Sequence, residues 1–188
     1  MDDQRTAATP DEDVVELLLH RHGEIRNLFD EVRTTEGDAR REAFGRLVRL
    51  LAVHETAEEE LVHPLARTTV PGGEGVVADR LAEERRAKEA LAQLEELGPG
   101  EPRFLPLLDT LRRAVLEHAR AEERYEFVKL AQETDPATRQ SLAAAIRAAE
   151  TVAPTRPHPG VESASAGSMA AVVDRVRDAV RRASAGSG

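Results

Sequence analysis

The chain has no cysteine and no tryptophan, and carries one tyrosine and four phenylalanines in 188 residues. Without cysteine, disulfides, thiolate metal sites and cysteine nucleophiles are all excluded, so any metal bound must accept nitrogen and oxygen donors. Aromatics make up 3% of a chain that is 40% hydrophobic. Most of that apolar content is Ala, Leu and Val, a bias of packed helices rather than of sandwiches or barrels. Positive charge is the minority: 26 Lys and Arg face 35 Asp and Glu, a net charge of −9. Such a surface repels phosphate, so neither a nucleic-acid nor a membrane partner is expected. No apolar run is long enough to span a bilayer, and the acidic start "MDDQRTAATPDED" has no hydrophobic stretch typical of an export signal. A cytoplasmic location is the resulting expectation.

What is present is helical periodicity, punctuated by turn residues. In "TPDED", Thr9 is placed as an N-cap, with Pro10 at the first helical position and Glu12 three residues after the cap. The first helix is then predicted to reach about Thr34. A second covers Ala43 to Leu65 and breaks at "TTVPGGEG"; a third covers Val76 to Leu97 and ends at "GPGEP"; a fourth covers Phe104 to about Leu130. The fold class expected is all-α: an up-down-up-down four-helix bundle with additional C-terminal helices. Residues 1–10 are read as a tail, 11–134 as the bundle and 135–150 as a fifth helix. The Pro/Ser/Gly-rich 151–167 reads as a linker, and 168–188 as an amphipathic helix and tail. Met169, Val172, Val173, Val176 and Val180 share one face of that last helix, which is expected to dock on its own bundle.

A helix turns about 100° per residue, so spacing decides which polar groups face inward. In the second helix the stripe Phe44, Leu47, Leu51, Leu61, Leu65 is completed by His54 and Glu58. Glu55 falls at its border, and Glu59, Glu60 and His63 fall on the far side. In the fourth helix Phe104, Leu107, Leu111 and Val115 are continued by His118 and Glu122, with Tyr125 one turn further on. His22 shares the face of Leu18, Ile25 and Phe29, whereas His20 projects away. Glu84 lies in the stripe of Val77, Leu81, Ala87, Leu91 and Leu94. A lone inward histidine is commonly a hydrogen-bonded core residue. Several carboxylates converging in an interior, however, need protons or cations, and only Arg85 and Lys88 lie near enough to help. Three imidazoles with three or four carboxylates suit a di-metal centre bridged by Glu58 and Glu122; a metal-free structural bundle is the alternative.

The stretches "LLLHRHGEIRNLF", "HETAEEELVHP" and "LEHARAEERYEF" resemble the metal-binding helices of the hemerythrin-like (HHE cation-binding) family over roughly Asp11 to Leu130. The resemblance implies a four-helix bundle with a non-haem di-iron centre, two iron ions per chain, with manganese as the alternative metal. It implies dioxygen, hydrogen peroxide or nitric oxide as the small ligand. On its motifs His22 matches the first-helix ligand, His54 and Glu58 the second-helix pair, and His118 and Glu122 the fourth-helix pair. Glu55 matches a ligand used by some members. The chain departs in the third helix, where "EERRAKEAL" puts Glu84 at the place of the usual histidine. A carboxylate there favours ferric iron or manganese over a reversible ferrous carrier. Tyr125 is read as an outer hydrogen-bonding partner, or else as a core aromatic closing the bundle.

The expected assignment has His22 and His54 on one ion, Glu84, His118 and Glu55 on the other, and Glu58 and Glu122 between them. The function expected is binding, sensing or reaction with dioxygen or reactive oxygen species, including peroxide decomposition, by a monomer or weak homo-oligomer. The alternative is a metal-responsive regulatory or interaction protein without turnover.

Overall fold

A computed structural model describes residues 12–152. The expected N-terminal tail and C-terminal amphipathic helix lie outside the described residues, as does the expected linker apart from Thr151 and Val152, which extend the fifth helical rod. The described residues are all-α. Helix α1 spans Val14–Thr34 and α2 spans Gly37–Ala57. The latter runs on through a π-turn, Glu58–Val62, into α3, His63–Thr69. Helix α4 covers Gly73–Leu97. Helix α5, Phe104–Ala121, passes through a second π-turn, Glu122–Glu126, into α6, Phe127–Glu133. Helix α7, Pro136–Val152, completes the set. The rods α1, α2–α3, α4 and α5–α6 form the bundle, and α7 packs across α1 and α2. No helix among the described residues is long and apolar enough to cross a membrane.

The first helix starts later than predicted. Asp13, not Thr9, is its cap: the Asp13 carboxylate accepts from the N–H groups of Val15 (2.9 Å) and Glu16 (3.2 Å), and Glu16 accepts from Asp13 N–H (3.1 Å). This reciprocal pair satisfies donors that the helix start would otherwise leave unpaired. Connections are short and glycine stops are used where the backbone demands them. Gly98 ends α4 at φ +77°, a conformation that costs other residues strain, and its N–H bonds Leu94 O at 2.9 Å. At the α3–α4 corner a Cβ on Gly73 would sit 2.2 Å from Ala66 O, so only glycine lets these helices meet.

Among the described residues two large apolar blocks make up most of the core, with a smaller one of Ala66, Val70 and Val77 at the α3–α4 corner. One gathers Ile25, Phe29, Phe44, Leu47, Leu51, Leu91, Leu94, Leu108 and Leu111, with Phe44 and Phe104 edge-to-face at 5.0 Å. The other joins Val14, Leu17 and Leu18 to Val62, Phe127, Leu130 and Ile146. Each large side chain so buried contributes roughly 1.5–3 kcal/mol. Along α1, α2 and α5 the chain passes from one block to the other through a polar turn holding His22, His54 with Glu58, and His118 with Glu122. The polar residues thus form a layer between two hydrophobic plugs. Helix α7 is tied to the start of α1 by ion pairs: Arg139 Nε to Asp13 Oδ2 (2.7 Å), Arg147 Nη2 to Glu12 Oε2 (2.9 Å), and a two-pronged contact of Arg21 with Glu150 (2.6 Å each).

Gly73→Ala is expected to destabilise the chain by about 1–3 kcal/mol, because overpacking against the Ala66 carbonyl forces the corner apart. Gly45→Ala, in the middle of α2 with open space around it, is expected to stabilise by about 0.5–1 kcal/mol. Urea unfolding of both variants checks this; midpoints shifted the same way would contradict it.

Candidate metal centre

Six of the seven residues singled out from periodicity meet in two donor groups within the polar layer. His22, His54, Glu58 and Glu122 offer donor atoms all within 4.8 Å of one another; so do Glu58, Glu84, His118 and Glu122. The two groups share Glu58 and Glu122. Every helical rod of the bundle contributes, because α1, α2, α4 and α5 each turn their apolar stripe inward and these residues occupy it. Glu55, the seventh, is buried but belongs to neither group; its Oε2 lies 3.8 Å from Lys88 Nζ, which also binds Glu59.

The rings are held from behind. His22 Nδ1 donates to Glu123 Oε1 at 2.9 Å, and His118 Nδ1 donates to Glu83 Oε2 at 3.0 Å, with Arg80 on the same Glu83 oxygen at 3.0 Å. Each Nε2 is thereby turned toward the cluster. His22 Nε2 lies 3.4 Å from Glu122 Oε2, and His118 Nε2 lies 3.1 Å from Glu122 Oε1, yet neither forms a hydrogen bond. Both Glu58 oxygens, both Glu122 oxygens and Glu84 Oε2 are also buried without a hydrogen-bond partner. His54 is the exception in its backing, since its Nδ1 has no partner. Buried polar atoms are nearly always paired, and so many orphans converging from four helices fit a site that takes a cation as partner. Imidazole and carboxylate donors, with carboxylates behind the rings, suit a borderline metal such as iron, manganese or zinc.

Two of the polar side chains weighed for the site, His63 and Tyr125, depart from the predicted facing, and both depart for one reason. A π-turn carries one residue more than an α-turn, so His63 N–H bonds Glu58 O and Phe127 N–H bonds Glu122 O. Beyond each turn the inward stripe is advanced by one position. His63, predicted to lie on the outer face, is therefore 2% exposed, with Nε2 2.7 Å from Glu84 Oε1 and Nδ1 3.4 Å from Glu126 Oε1. Val62 and Ala66 take the buried places predicted for Leu61 and Leu65. Tyr125, predicted to continue the inward stripe, is 62% exposed beside Arg124, and Glu126 is buried in its stead. Phe127 then stacks on His22 with ring centroids 5.6 Å apart. A signal for this was present: in "EERYEFVKL" the apolar residues Phe127 and Leu130 resume five and eight positions after Glu122, out of phase with Tyr125. His20 is exposed as predicted and binds Glu12 at 2.7 Å.

The electrostatics express the crowding. Burial, with Glu122 and Glu84 nearby, pushes Glu58 well above the ordinary carboxylate range. Burial would also raise Glu122, but the His118 and His22 imidazoles beside it prevail and hold it down. Burial pushes Glu55 up to about 8, only partly relieved by Lys88. Burial and the His22 ring push His54 well down. For His63 and His118 burial works downward, but carboxylate neighbours outweigh it and raise both to about 9. Beside the cluster is a cavity of about 240 Å³. His22, His54, Glu84 and His118 reach its wall, Ile25, Leu51 and Val115 give it an apolar lining, and the exposed Arg86 and Glu117 mark its outer side.

A helical bundle with a buried histidine–carboxylate layer contributed by four rods defines a class of cation-binding proteins. Within that class, the hemerythrin HHE cation-binding domain family matches residues 13–130, and the chain belongs to it. A protein described as a DNA nickase, from Nostoc sp. (strain PCC 7120), is 27% identical over 121 residues, covering 64% of this chain and 34% of that protein. The chain therefore spans about a third of that relative's length. No solved structure matches it.

The metal-free chain is expected to lose stability as pH rises from about 6.5 to 9. Glu55 titrates near 4.5 when unfolded and about 8 when folded, so its contribution is present below 4.5 and is lost as pH rises through 8. His63 and His118, raised from 6.5 to about 9, contribute fully below 6.5 and lose that contribution as pH rises through 9. All three act in the same direction. Bound cations would replace protons as the counter-charge, so the metal-loaded chain should be flatter over this window. Thermal melts across it with and without chelator provide the check, and parallel curves would contradict the expectation.

Proposed function

We propose that the chain is a non-haem di-iron protein that handles dioxygen or its reduced products, with hydrogen peroxide decomposition as the activity to seek. The observation that carries this reading is the pair of four-residue donor groups sharing Glu58 and Glu122. His22 and His54 would hold one ion, Glu84 and His118 the other, and Glu58 and Glu122 would lie between them. Bound iron would supply one-electron redox chemistry that none of these side chains can provide. Glu123 and Glu83, behind His22 and His118, keep the rings oriented. The apolar lining of the adjoining cavity admits a small neutral molecule while limiting water. With a carboxylate, Glu84, as the third rod's donor, the set favours the ferric state, which supports reaction or sensing over reversible carriage. The nicking activity named for the Nostoc relative is not carried over: only 34% of that protein is matched, and a net charge of −9 opposes a phosphate backbone.

Iron-loaded protein is expected to hold about two ions per chain, as a two-metal centre requires. His54→Ala should cost one ion and Glu58→Ala both, since Glu58 belongs to both groups, while His20→Ala, on the surface, should cost none. Elemental analysis with an optical spectrum measures this, and peroxide consumption should follow metal content. Equal metal loss from all three variants would overturn the reading. Supercoiled plasmid should remain intact under the same conditions, and nicking would show that the relative's activity does extend to this chain.

A further inference from the structure

Glu84 occupies the place in the third rod of the bundle where the family usually carries a histidine, and an imidazole stands directly beside it. His63, brought inward by the first π-turn, places Nε2 2.7 Å from Glu84 Oε1, and Glu126, brought inward by the second, lies 3.4 Å from His63 Nδ1. We propose that His63 is a positioning residue for the Glu84-bearing metal site: its Nε2–H holds Glu84 Oε1 and so presents Oε2 to the ion, while Glu126 keeps the ring in that orientation. This rests on the reading of Glu84 as a ligand.

Three observations support the assignment. Glu84 Oε2 is buried and has no hydrogen-bond partner, whereas Oε1 is engaged, so the two oxygens already have different roles. His63 has a carboxylate on each ring nitrogen and belongs to neither donor group, so it backs a ligand rather than serving as one. All three side chains are buried, which removes water as an alternative means of fixing the Glu84 rotamer. The pattern matches the backing of His22 by Glu123 and of His118 by Glu83 with donor and acceptor exchanged: here the ligand is the carboxylate and the backing group the imidazole. The effect is confined to one ion, because the group of His22, His54, Glu58 and Glu122 does not include Glu84.

The test is a titration of metal-free full-length chain with cobalt(II), followed by its visible absorption and by equilibrium dialysis. The parent should bind two ions. His63→Leu should weaken one of them by about 10–100-fold, the usual consequence of losing an outer partner, and leave the other unchanged. His63→Gln, whose amide N–H can take the place of Nε2–H, should recover most of that loss. Glu126→Gln should weaken the same ion to a lesser degree. Circular dichroism establishes that each variant is folded; should His63→Leu fail to fold, His63→Gln against Glu126→Gln still tests site selectivity. Both ions weakened alike, or neither weakened, would overturn the proposal, as would loss of a nitrogen donor from cobalt in His63→Leu, which would make His63 itself a ligand. A parent chain that binds no pair of ions would instead refute the metal-centre reading on which the proposal stands.

Discussion

An ionised carboxylate carried from water into a protein interior loses several kcal/mol of solvation even after relaxation. This bundle carries Glu55, Glu58, Glu84, Glu122 and Glu126 into one buried layer. The rest of the architecture serves that layer. Apolar blocks on both sides hold the four rods at fixed separation, so the acids cannot move apart to relieve repulsion. Imidazoles are interleaved among the acids, and further carboxylates at the edge, Glu83 and Glu123, lock the rings so that the same nitrogen of His22 and of His118 points inward. Helix α7, fastened to α1 by three arginine contacts, covers the end of the bundle where that inward face begins.

The fold was legible in the sequence because four long segments repeat at helical period between strong stops, and the first five inward positions were legible for the same reason. His22 lies in a helix without a π-turn, and His54, Glu58, His118 and Glu122 lie before, or at the first residue of, one, where a rotation of about 100° per residue still holds. Glu84 lies in an uninterrupted helix and was equally accessible. Legibility ended at the turns. One inserted residue rotates everything after it, so Tyr125 and His63 exchanged inside for outside relative to a uniform helix. Extrapolating a period assumes constant phase, and nothing in a count of apolar residues reports the insertion unless the resumption at Phe127 and Leu130 is compared with the stripe before it. The cap at Asp13 was missed for a different reason: two box-like signals, Thr9 with Glu12 and Asp13 with Glu16, lie within a few residues, and a contact that local pattern cannot report holds Asp13, that of Arg139 far along the chain.

Membership of the HHE family accounts for the shared part of the layer, and the remainder belongs to this chain. In the third rod Glu84 stands where the family usually has a histidine, and an imidazole of the second rod, His63, faces it. The cavity adjoining the layer is lined on one side by this altered part, through Glu84 and His118, and on the other by His22 and His54. A small molecule entering it would therefore meet two chemically unlike halves.

The two π-turns also divide the site in terms of inheritance. His54 precedes the first inserted residue and His118 precedes the second, while His63, Glu126 and Phe127 follow them. Loss of a single codon within either turn would leave the upstream histidine and its glutamate in register and swing only the downstream group to the surface.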